Sequence, residues 1–327
     1  MIVLPMDVLS TIPKKRFRDA GITLPPELSI VHREEDVTPY RESTCRAVLS
    51  LHSHFPSDDY LSMPKLEMVQ LLSAGHDAID VGRFAKRNII LCNNPGANAD
   101  AVAEHILMSI LYFARRVGEC QAIDYTDAYT TQRNAMMGPL LRDARELHVG
   151  LIGMGQIGQA FAVMARALSI SCSYTSRTRR IDIEEAHGAT WRTPETLLNT
   201  CDVIALTLPL TPETVHFMNR ARFAAMKDNA IFINVSRGAL VDQEALADAL
   251  RSRKLYGAST DVFDPEPPRP DNPLFQLPPD VRARLLLTPH LAGITHQTWR
   301  EMMQRAISNL ARYAVGKEPL HRVNDET

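Results

Sequence analysis

The stretch LHVGLIGMGQIG, residues 147–158, decides the fold class of this chain. Its first half is an apolar run typical of a buried strand, and Gly153, Gly155 and Gly158 follow with the spacing G-x-G-x-x-G. A run of residues that favour helix begins at Gln156. Strand, glycine turn and helix in this order predict a dinucleotide-binding unit, because a turn without side chains lets the backbone approach a pyrophosphate at the helix N-terminus.

Short apolar runs recur along the chain at intervals that leave room for a helix between them. They lie at 47–51, 68–73, 88–92, 147–153, 202–209, 230–236, 256–263 and 284–290. Runs that are apolar on both faces indicate parallel strands joined by crossover helices. The sequence therefore predicts the α/β class.

Two longer helical patterns mark the expected domain boundaries. Their apolar positions recur at three- and four-residue steps: Val102, Ile106, Ile110 and Phe113 in the first, and Met302, Ala306, Leu310 and Tyr313 in the second. The second pattern is interpreted as a return of the chain to its first domain. We therefore expect a substrate-binding domain of residues 1–100 plus 296–327, and a dinucleotide-binding domain of residues 101–295 inserted between them.

Composition and charge exclude several classes of protein. The chain has 327 residues, 45% of them hydrophobic, which is enough for two domains with a core each. Lys and Arg number 36 against 38 Asp and Glu, so a net charge of −2 gives no general attraction for nucleic acid or a membrane surface. No uncharged apolar stretch has membrane-spanning length, and we expect a soluble, cytoplasmic protein.

The cysteines suggest neither a disulfide framework nor a metal site. Their number is odd and their spacing wide, without a CxxC pair: Cys45, Cys92, Cys120, Cys172 and Cys201. Buried free thiols are the expected state. No cluster of ligand residues elsewhere predicts a bound metal.

The segment SYTSRTRR, residues 173–180, follows the glycine turn by about twenty residues. Units selective for NAD carry an Asp or Glu there, whereas this chain has Thr175 and Ser176. Without that carboxylate, the arginines that follow are suited to a 2′-phosphate, which predicts a preference for NADP(H) with NAD(H) as a second cofactor. The residues expected to contact it are Ser176, Arg177, Thr178 and Arg179. The alternative is a solvated loop in an enzyme that uses either cofactor.

Three residues of catalytic type follow predicted strands of the same domain. They are Arg237, Glu266 and His290. Each alone has a simpler explanation, as a surface ion pair, an exposed loop acid or a loop histidine. Because the carboxyl ends of strands in an open α/β sheet face the ligand crevice, all three could converge there.

These motifs lie in an order that resembles the D-isomer-specific 2-hydroxyacid dehydrogenases. The stretches that carry the resemblance are SAGHDAID, NNPGANADAVAEH, GLIGMGQIG, LPLTPETVHFMN, MKDNAIFINVSRGALVDQEAL, STDVFDPEP and TPHLAGIT. The resemblance implies two flavodoxin-like or Rossmann-like domains with the active site in the cleft between them. It also implies a homodimer joined through the cofactor domain, and Arg237, Glu266 and His290 as the catalytic residues.

The residue types suit the reduction of a 2-oxo acid. His290 as imidazolium can supply a proton, Glu266 favours that charged form, and Arg237 can bind the carboxylate and polarise the carbonyl. Ala74, Gly75 and His76 are expected to form a main-chain anion nest for the substrate. The expected cofactor contacts are Gly153, Gly155, Gln156, Ile157, Gly158, Pro209, Thr214, Val235, Ser236, Gly293 and, at the nicotinamide carboxamide, Asp261.

The expected substrates are glyoxylate, hydroxypyruvate or a similar small 2-oxo acid. The formate-oxidising branch has an amide where this chain has Glu266, which argues against formate. Candidates for the side-chain pocket are His52, His54, Phe55, Met136 and Met137. Two alternatives remain at this point: a nucleotide-sensing binding protein resembling transcriptional corepressors of this fold, and a phosphite dehydrogenase.

Overall fold

The computed structural model describes residues 5–36, 38–51, 57–77, 79–137 and 141–324, and the chain divides into two compact units. The first unit comprises Met1–Asn98 and Ile294–Thr327, and the second comprises Ala99–Gly293. The first boundary falls after residue 98, where residue 100 was expected, and the second after 293, where 295 was expected.

Strands and helices alternate along most of the described chain. The strands are β1 (Met6–Ser10), β2 (Leu28–His32), β3 (Ala47–Ser50), β4 (Met68–Leu71), β5 (Ile90–Cys92), β6 (His148–Ile152), β7 (Ser171–Thr175), β8 (Thr190–Trp191), β9 (Val203–Leu206), β10 (Ala230–Asn234), β11 (Leu255–Thr260) and β12 (Leu285–Leu287). The helices are α1 (Lys14–Asp19), α2 (Ser57–Ser62), α3 (Val81–Ala85), α4 (Ala99–Ala114), α5 (Val117–Gln121), α6 (Tyr129–Met136), α7 (Gln156–Ala167), α8 (Ile181–His187), α9 (Pro194–Thr200), α10 (Arg220–Ala225), α11 (Gln243–Arg251), α12 (Pro279–Arg282) and α13 (His296–Ala314).

In the first unit, the described strands form a parallel sheet with the order β2-β1-β3-β4-β5. This is the flavodoxin-like order. Apolar side chains cover both faces of the sheet, and α13 supplies Met303 and Leu310, which have no exposed surface, to one of them. The strands β1 and β2 lie outside the apolar runs singled out from the sequence. Strand β2 is at the edge of the sheet and three of its residues are only partly buried, so its pattern is weaker.

In the second unit, the described strands form a parallel sheet with the order β12-β11-β10-β9-β6-β7-β8. Counted from β6 this is the Rossmann order 3-2-1-4-5-6, extended by one strand. One core cluster packs α4 and α7 against one face, and a second packs α9, α10 and α11 against the other. The α/β prediction is confirmed. Every strand of this sheet ends at the same edge, and the predicted catalytic residues follow strands that end there.

The first of the two predicted long helices, whose apolar positions run from Val102 to Phe113, begins at Ala99 and ends at Ala114. It ends there because Arg116 adopts a left-handed backbone conformation, φ 53°, which interrupts the helix before α5. The Arg116 side chain donates from Nε to the Tyr256 hydroxyl at 3.1 Å and pairs with Glu119.

All five cysteines are free thiols, and four of them are buried. Across the described ranges, none of the helices has both the length and the apolar character that crossing a bilayer requires.

Candidate active site

The turn after β6 contains three glycines, and each position favours glycine for a different structural reason. Gly153 has φ 110°, and a Cβ there would lie 2.6 Å from the Thr207 backbone. A Cβ at Gly158 would lie 2.8 Å from the carbonyl oxygen of Gly153, so this glycine lets α7 pack against the turn. At Gly155 the space that a side chain would fill is open to 4 Å. A phosphate group can therefore approach the backbone at that point, which fits a dinucleotide.

The N-terminus of α7 completes this cradle. Gly155 is its N-cap, Gln156 and Ile157 form its first turn, and no acidic residue lies in that turn to oppose an anion. Thr207, which follows β9, donates from its hydroxyl to the carbonyl oxygen of Gly153 at 2.8 Å. This bond holds the glycine turn against the end of the neighbouring strand.

The three arginines after β7 are in different situations. Arg179 makes a two-bond ion pair with Glu184 at 2.8 Å for both contacts, and Arg180 makes one with Asp182 at 3.1 and 2.9 Å. Arg177 is exposed and makes no hydrogen bond or ion pair with the residues that the structure describes. The loop therefore neutralises two of its guanidinium groups internally.

The Tyr174 hydroxyl fixes the shape of this loop. It accepts a hydrogen bond from the backbone N–H of Arg180 at 2.7 Å and donates to Glu184 at 3.0 Å. The Ser176 hydroxyl donates to the carbonyl oxygen of Thr178 at 2.6 Å. The predicted cofactor residues Ser176 and Thr178 thus also order the loop that carries Arg177.

The other predicted cofactor residues follow neighbouring strands of the second sheet. Pro209 lies past β9, and its carbonyl accepts a hydrogen bond from the Thr214 hydroxyl at 3.0 Å. Val235 and Ser236 follow β10 directly, and Gly293 is buried past β12. All of them therefore belong to the carboxyl edge at which open α/β sheets bind ligands.

His290 and Glu266 are brought into direct contact. Nδ1 of His290 lies 2.8 Å from Oε2 of Glu266, while Oε1 of Glu266 accepts the backbone N–H of Phe263 at 2.9 Å. The pair is accessible, with 52% of the His290 side chain and 36% of the Glu266 side chain exposed. Because Glu266 holds Nδ1, Nε2 is the nitrogen left to meet a substrate.

The pair shifts the pKa of both partners toward their charged forms. The hydrogen bond to Glu266 raises the pKa of His290, although burial and the charge of Arg237 oppose this. Burial would raise the pKa of Glu266, but the hydrogen bonds from His290 and Phe263 hold it below its usual value. The pair therefore favours imidazolium and carboxylate over the two neutral forms.

Arg237 is close enough to the pair for its charge to lower the pKa of both partners. Its Nη1 donates to the carbonyl oxygen of Ser236 at 2.7 Å. The next residue is Gly238, where a Cβ would lie 2.0 Å from the Phe263 backbone. Only glycine permits this approach, which brings the Arg237 turn against the segment that leads to Glu266.

Asp261 points into the unit. It is 1% exposed, and its carboxylate accepts hydrogen bonds from the Thr288 hydroxyl at 2.5 Å and from the backbone N–H groups of Leu291 and Ala292 at 2.8 Å each. A carboxylate has about four acceptor positions, so one remains on Oδ2. Asp261 was predicted to contact the nicotinamide carboxamide, but Thr288 and the turn after His290 occupy most of its hydrogen-bond acceptor positions.

In the first unit, the loop after β4 has three successive carbonyl groups held by hydrogen bonds. The carbonyl oxygens of Ser73, Ala74 and Gly75 accept hydrogen bonds from the Asn94 backbone, the Asn93 side chain and the Ser73 hydroxyl at 3.0, 2.8 and 3.1 Å. In a trans peptide the next N–H points the opposite way, so the amides of Ala74, Gly75 and His76 turn away from these partners.

Of the five candidates for the substrate side-chain pocket, two lie among the described residues. His52, His54 and Phe55 lie outside the described residues. Met136 is partly buried at the end of α6, and Met137, which follows it, is 57% exposed.

Sequence reasoning missed several residues that support these groups. Asn234, 1% exposed, donates from Nδ2 to the Arg237 carbonyl at 2.9 Å and accepts the Ser236 N–H at 3.1 Å. At other strand ends, the hydroxyls of Thr207 and Thr288 likewise donate hydrogen bonds that support predicted site residues, Gly153 and Asp261. The available signal was a polar residue inside or next to an apolar run, because a buried polar side chain requires a partner.

We predict that Glu266→Gln lowers the pKa of His290, because the amide keeps a hydrogen-bond acceptor but removes the negative charge that favours imidazolium. The change is measured by NMR titration of the His290 ring, assigned with a His290 variant. Asp264→Asn, which removes an exposed carboxylate nearby, is the control and should leave the titration unchanged. An unaltered pKa in Glu266→Gln would show that the contact does not set the charge of His290.

Comparison with known proteins gives the family. Residues 107–292 match the family described as "D-isomer specific 2-hydroxyacid dehydrogenase, NAD binding domain". A glyoxylate reductase from Korarchaeum cryptofilum is 34% identical over 287 residues, which cover 88% of this chain and 85% of that protein. A glyoxylate/hydroxypyruvate reductase B from Citrobacter koseri is 35% identical over 267 residues, covering 81% of this chain and 80% of its own.

Among solved structures, a protein from Thermus thermophilus is 32% identical, with a TM-score of 0.76 over 97% of this chain and 100% of that one. The chain belongs to the D-isomer specific 2-hydroxyacid dehydrogenases, oxidoreductases that act on a CH–OH group with a nicotinamide cofactor.

Proposed function

We propose that this chain is an NADP(H)-preferring 2-oxoacid reductase for small substrates such as glyoxylate or hydroxypyruvate. The observation that carries the proposal is the 2.8 Å contact between His290 and Glu266, with the charge of Arg237 close to both. The relatives named glyoxylate reductase and glyoxylate/hydroxypyruvate reductase support the substrate class.

The protein's own groups account for proton transfer and substrate binding. The nicotinamide, when bound, supplies the hydride for the carbonyl carbon. Nε2 of His290 donates the proton to the carbonyl oxygen, because Nδ1 is held by Glu266. The planar guanidinium of Arg237 binds the substrate carboxylate and stabilises the charge that develops on the carbonyl oxygen.

We assign a second carboxylate anchor to the amides of Ala74, Gly75 and His76. Support comes from the hydrogen bonds that hold the preceding carbonyl groups, because the N–H of each of these peptides points away from the partner of its carbonyl. Nδ1 of His76 is buried and has no hydrogen-bond partner among the described residues.

The cofactor is assigned to the glycine turn, the α7 N-terminus and the loop after β7. The open space at Gly155 accepts the pyrophosphate, and the remaining acceptor position of Asp261 is assigned to the nicotinamide carboxamide. Arg177 is the group for the 2′-phosphate, since Arg179 and Arg180 are already paired. The pKa of Glu213 is lowered mainly by a hydrogen bond from Thr211, and the charge of Arg177 adds to this effect.

We expect His290→Ala to lower kcat for glyoxylate reduction by roughly 10² to 10⁴, since it removes the proton donor. The assay is the initial loss of absorbance at 340 nm with NADPH, and His187→Ala, a histidine of α8, is the matched control. Near-wild-type turnover in His290→Ala would reject the assignment. Lack of oxidation by the wild-type chain with glyoxylate, hydroxypyruvate, pyruvate or phenylpyruvate would reject the reductase proposal itself.

For cofactor choice, Arg177→Ala should lower the ratio of kcat/KM for NADPH to that for NADH by about ten- to a hundred-fold, the loss of a charge-assisted hydrogen bond. Arg180→Ala is the control, because that guanidinium is held by Asp182. We expect a smaller change there. An unchanged ratio in Arg177→Ala would contradict the proposed contact between Arg177 and the 2′-phosphate.

The second unit also carries the surface that we assign to a homodimer. Along α4 and the segment after it, Met108 and Leu111 are 43% exposed, Tyr125 65% and Tyr129 43%. A contiguous patch formed by these side chains would be typical of an interface.

Light scattering after size exclusion should give twice the chain mass of 36.6 kDa. Leu111→Asp should shift the mass toward the monomer because it places a charge in the proposed interface. Leu320→Asp, at a similarly exposed position in the first unit, should leave the mass unchanged. A monomeric wild-type chain would contradict this assignment.

A further inference from the structure

Three successive backbone amides converge on one residue behind the proposed proton donor. The N–H of His290 donates to the carbonyl oxygen of Asp261 at 2.8 Å, that of Leu291 to Oδ1 and that of Ala292 to Oδ2, also at 2.8 Å. The main chain that carries the imidazole is therefore fixed to the residue that directly follows β11.

His290 itself adopts a left-handed backbone conformation, with φ 55°. For a residue with a Cβ this conformation is unfavourable and persists only when the surroundings hold it. The amides captured by Asp261 supply that restraint. If the Asp261 carboxylate turned about its side-chain torsion, one or both of the bonds to Leu291 and Ala292 would be lost.

Thr288 holds the carboxylate against such a turn. Its hydroxyl donates to Oδ1 of Asp261 at 2.5 Å, and its backbone N–H donates to the Thr260 carbonyl at 3.1 Å. The first bond fixes the rotation of the carboxylate, and the second fixes Thr288 to the end of β11. The hydroxyl hydrogen is thus committed to the carboxylate, which when ionised can only accept.

His105 of α4 lies behind Thr288. Its Nε2 is 3.4 Å from the Thr288 oxygen, and since that oxygen gives its hydrogen to Asp261, it accepts one from Nε2. This assigns the hydrogen of neutral His105 to Nε2. Burial lowers the pKa of His105, which favours the neutral ring.

We propose that Thr288 is a positioning residue for His290: its hydroxyl orients the Asp261 carboxylate, which in turn holds the backbone that presents the imidazole. Glu266 fixes the imidazole ring from the side-chain end, and Thr288 with Asp261 fixes it from the main-chain end. The inference rests on the proposed function in one respect, namely that His290 donates the proton.

The test compares Thr288→Val and Thr288→Ala, which lack the hydroxyl, with Thr288→Ser, which keeps it. Since displacement of a catalytic group slows the chemical step more than it weakens binding, we expect kcat about ten-fold lower in the first two variants. We expect KM for the 2-oxo acid to stay within about two-fold, and Thr288→Ser to restore most of kcat. Two hydroxyl-free variants are used so that a folding defect in one leaves the other to decide.

Ser109→Ala is the matched control. It removes a buried hydroxyl that contacts Ser259 at 3.0 Å and donates to the backbone carbonyl oxygen of His105 at 2.9 Å, and it leaves every hydrogen bond of the His290 turn in place. A lower melting temperature with unchanged kcat is expected for this variant. Wild-type kcat in Thr288→Val and Thr288→Ala, or failure of Thr288→Ser to restore it, would overturn the proposal.

Hydrogen exchange separates this inference from the proposed function. A peptide that covers residues 289–295 should exchange faster in Thr288→Val than in the wild type, and at the wild-type rate in Thr288→Ser and Ser109→Ala. Faster exchange with no reductase activity in any form of the protein would reject the proposed function and keep the structural role of Thr288. Unchanged exchange in the hydroxyl-free variants would reject the role of Thr288, whatever the activity.

Discussion

The buried carboxylate of Asp261 is the constraint on which the proposed catalytic edge depends. A buried charge is costly unless hydrogen bonds or an opposite charge compensate it. Within the described residues no Lys or Arg lies within 4 Å of this carboxylate, and Thr288, Leu291 and Ala292 supply the hydrogen bonds. The chain past β12 must therefore fold back over the end of β11, because only there do its amides reach the carboxylate.

That fold places His290 where two unrelated restraints meet. The left-handed backbone and the bonds to Asp261 set its position, while Glu266 sets the tautomer and the plane of the ring. A group held in this way needs little reorganisation when charge develops beside it, which is the general source of electrostatic catalysis. The close approach at Gly238 adds Arg237 to the same region, where its charge opposes the rise that Glu266 causes in the pKa of His290.

The α/β class and the glycine turn could be predicted from the sequence because both depend on local patterns. The direction of the Asp261 side chain could not, because nothing near it in the sequence shows that amides thirty residues later capture its oxygens. The edge strand β2 was missed for a related reason, since a half-exposed strand has a weak apolar pattern. Asn234 and Thr288 were visible as polar residues beside apolar runs, but their partners are set by tertiary structure.

The arginine loop shows that tertiary pairing decides which of several arginines in a sequence keeps an unpaired charge. Three arginines follow β7, yet Asp182 and Glu184 of α8 lie close enough along the chain to pair with Arg180 and Arg179. Pairing removes the Coulomb attraction that those two groups could offer a phosphate, and exposed charges that remain are further screened by salt. In the proposed site, discrimination between the two nicotinamide cofactors would depend on Arg177 and on the lack of a carboxylate at Ser176. Such a site would favour NADPH only through the contact with its 2′-phosphate. NADH would lack that contact but would meet no repulsion.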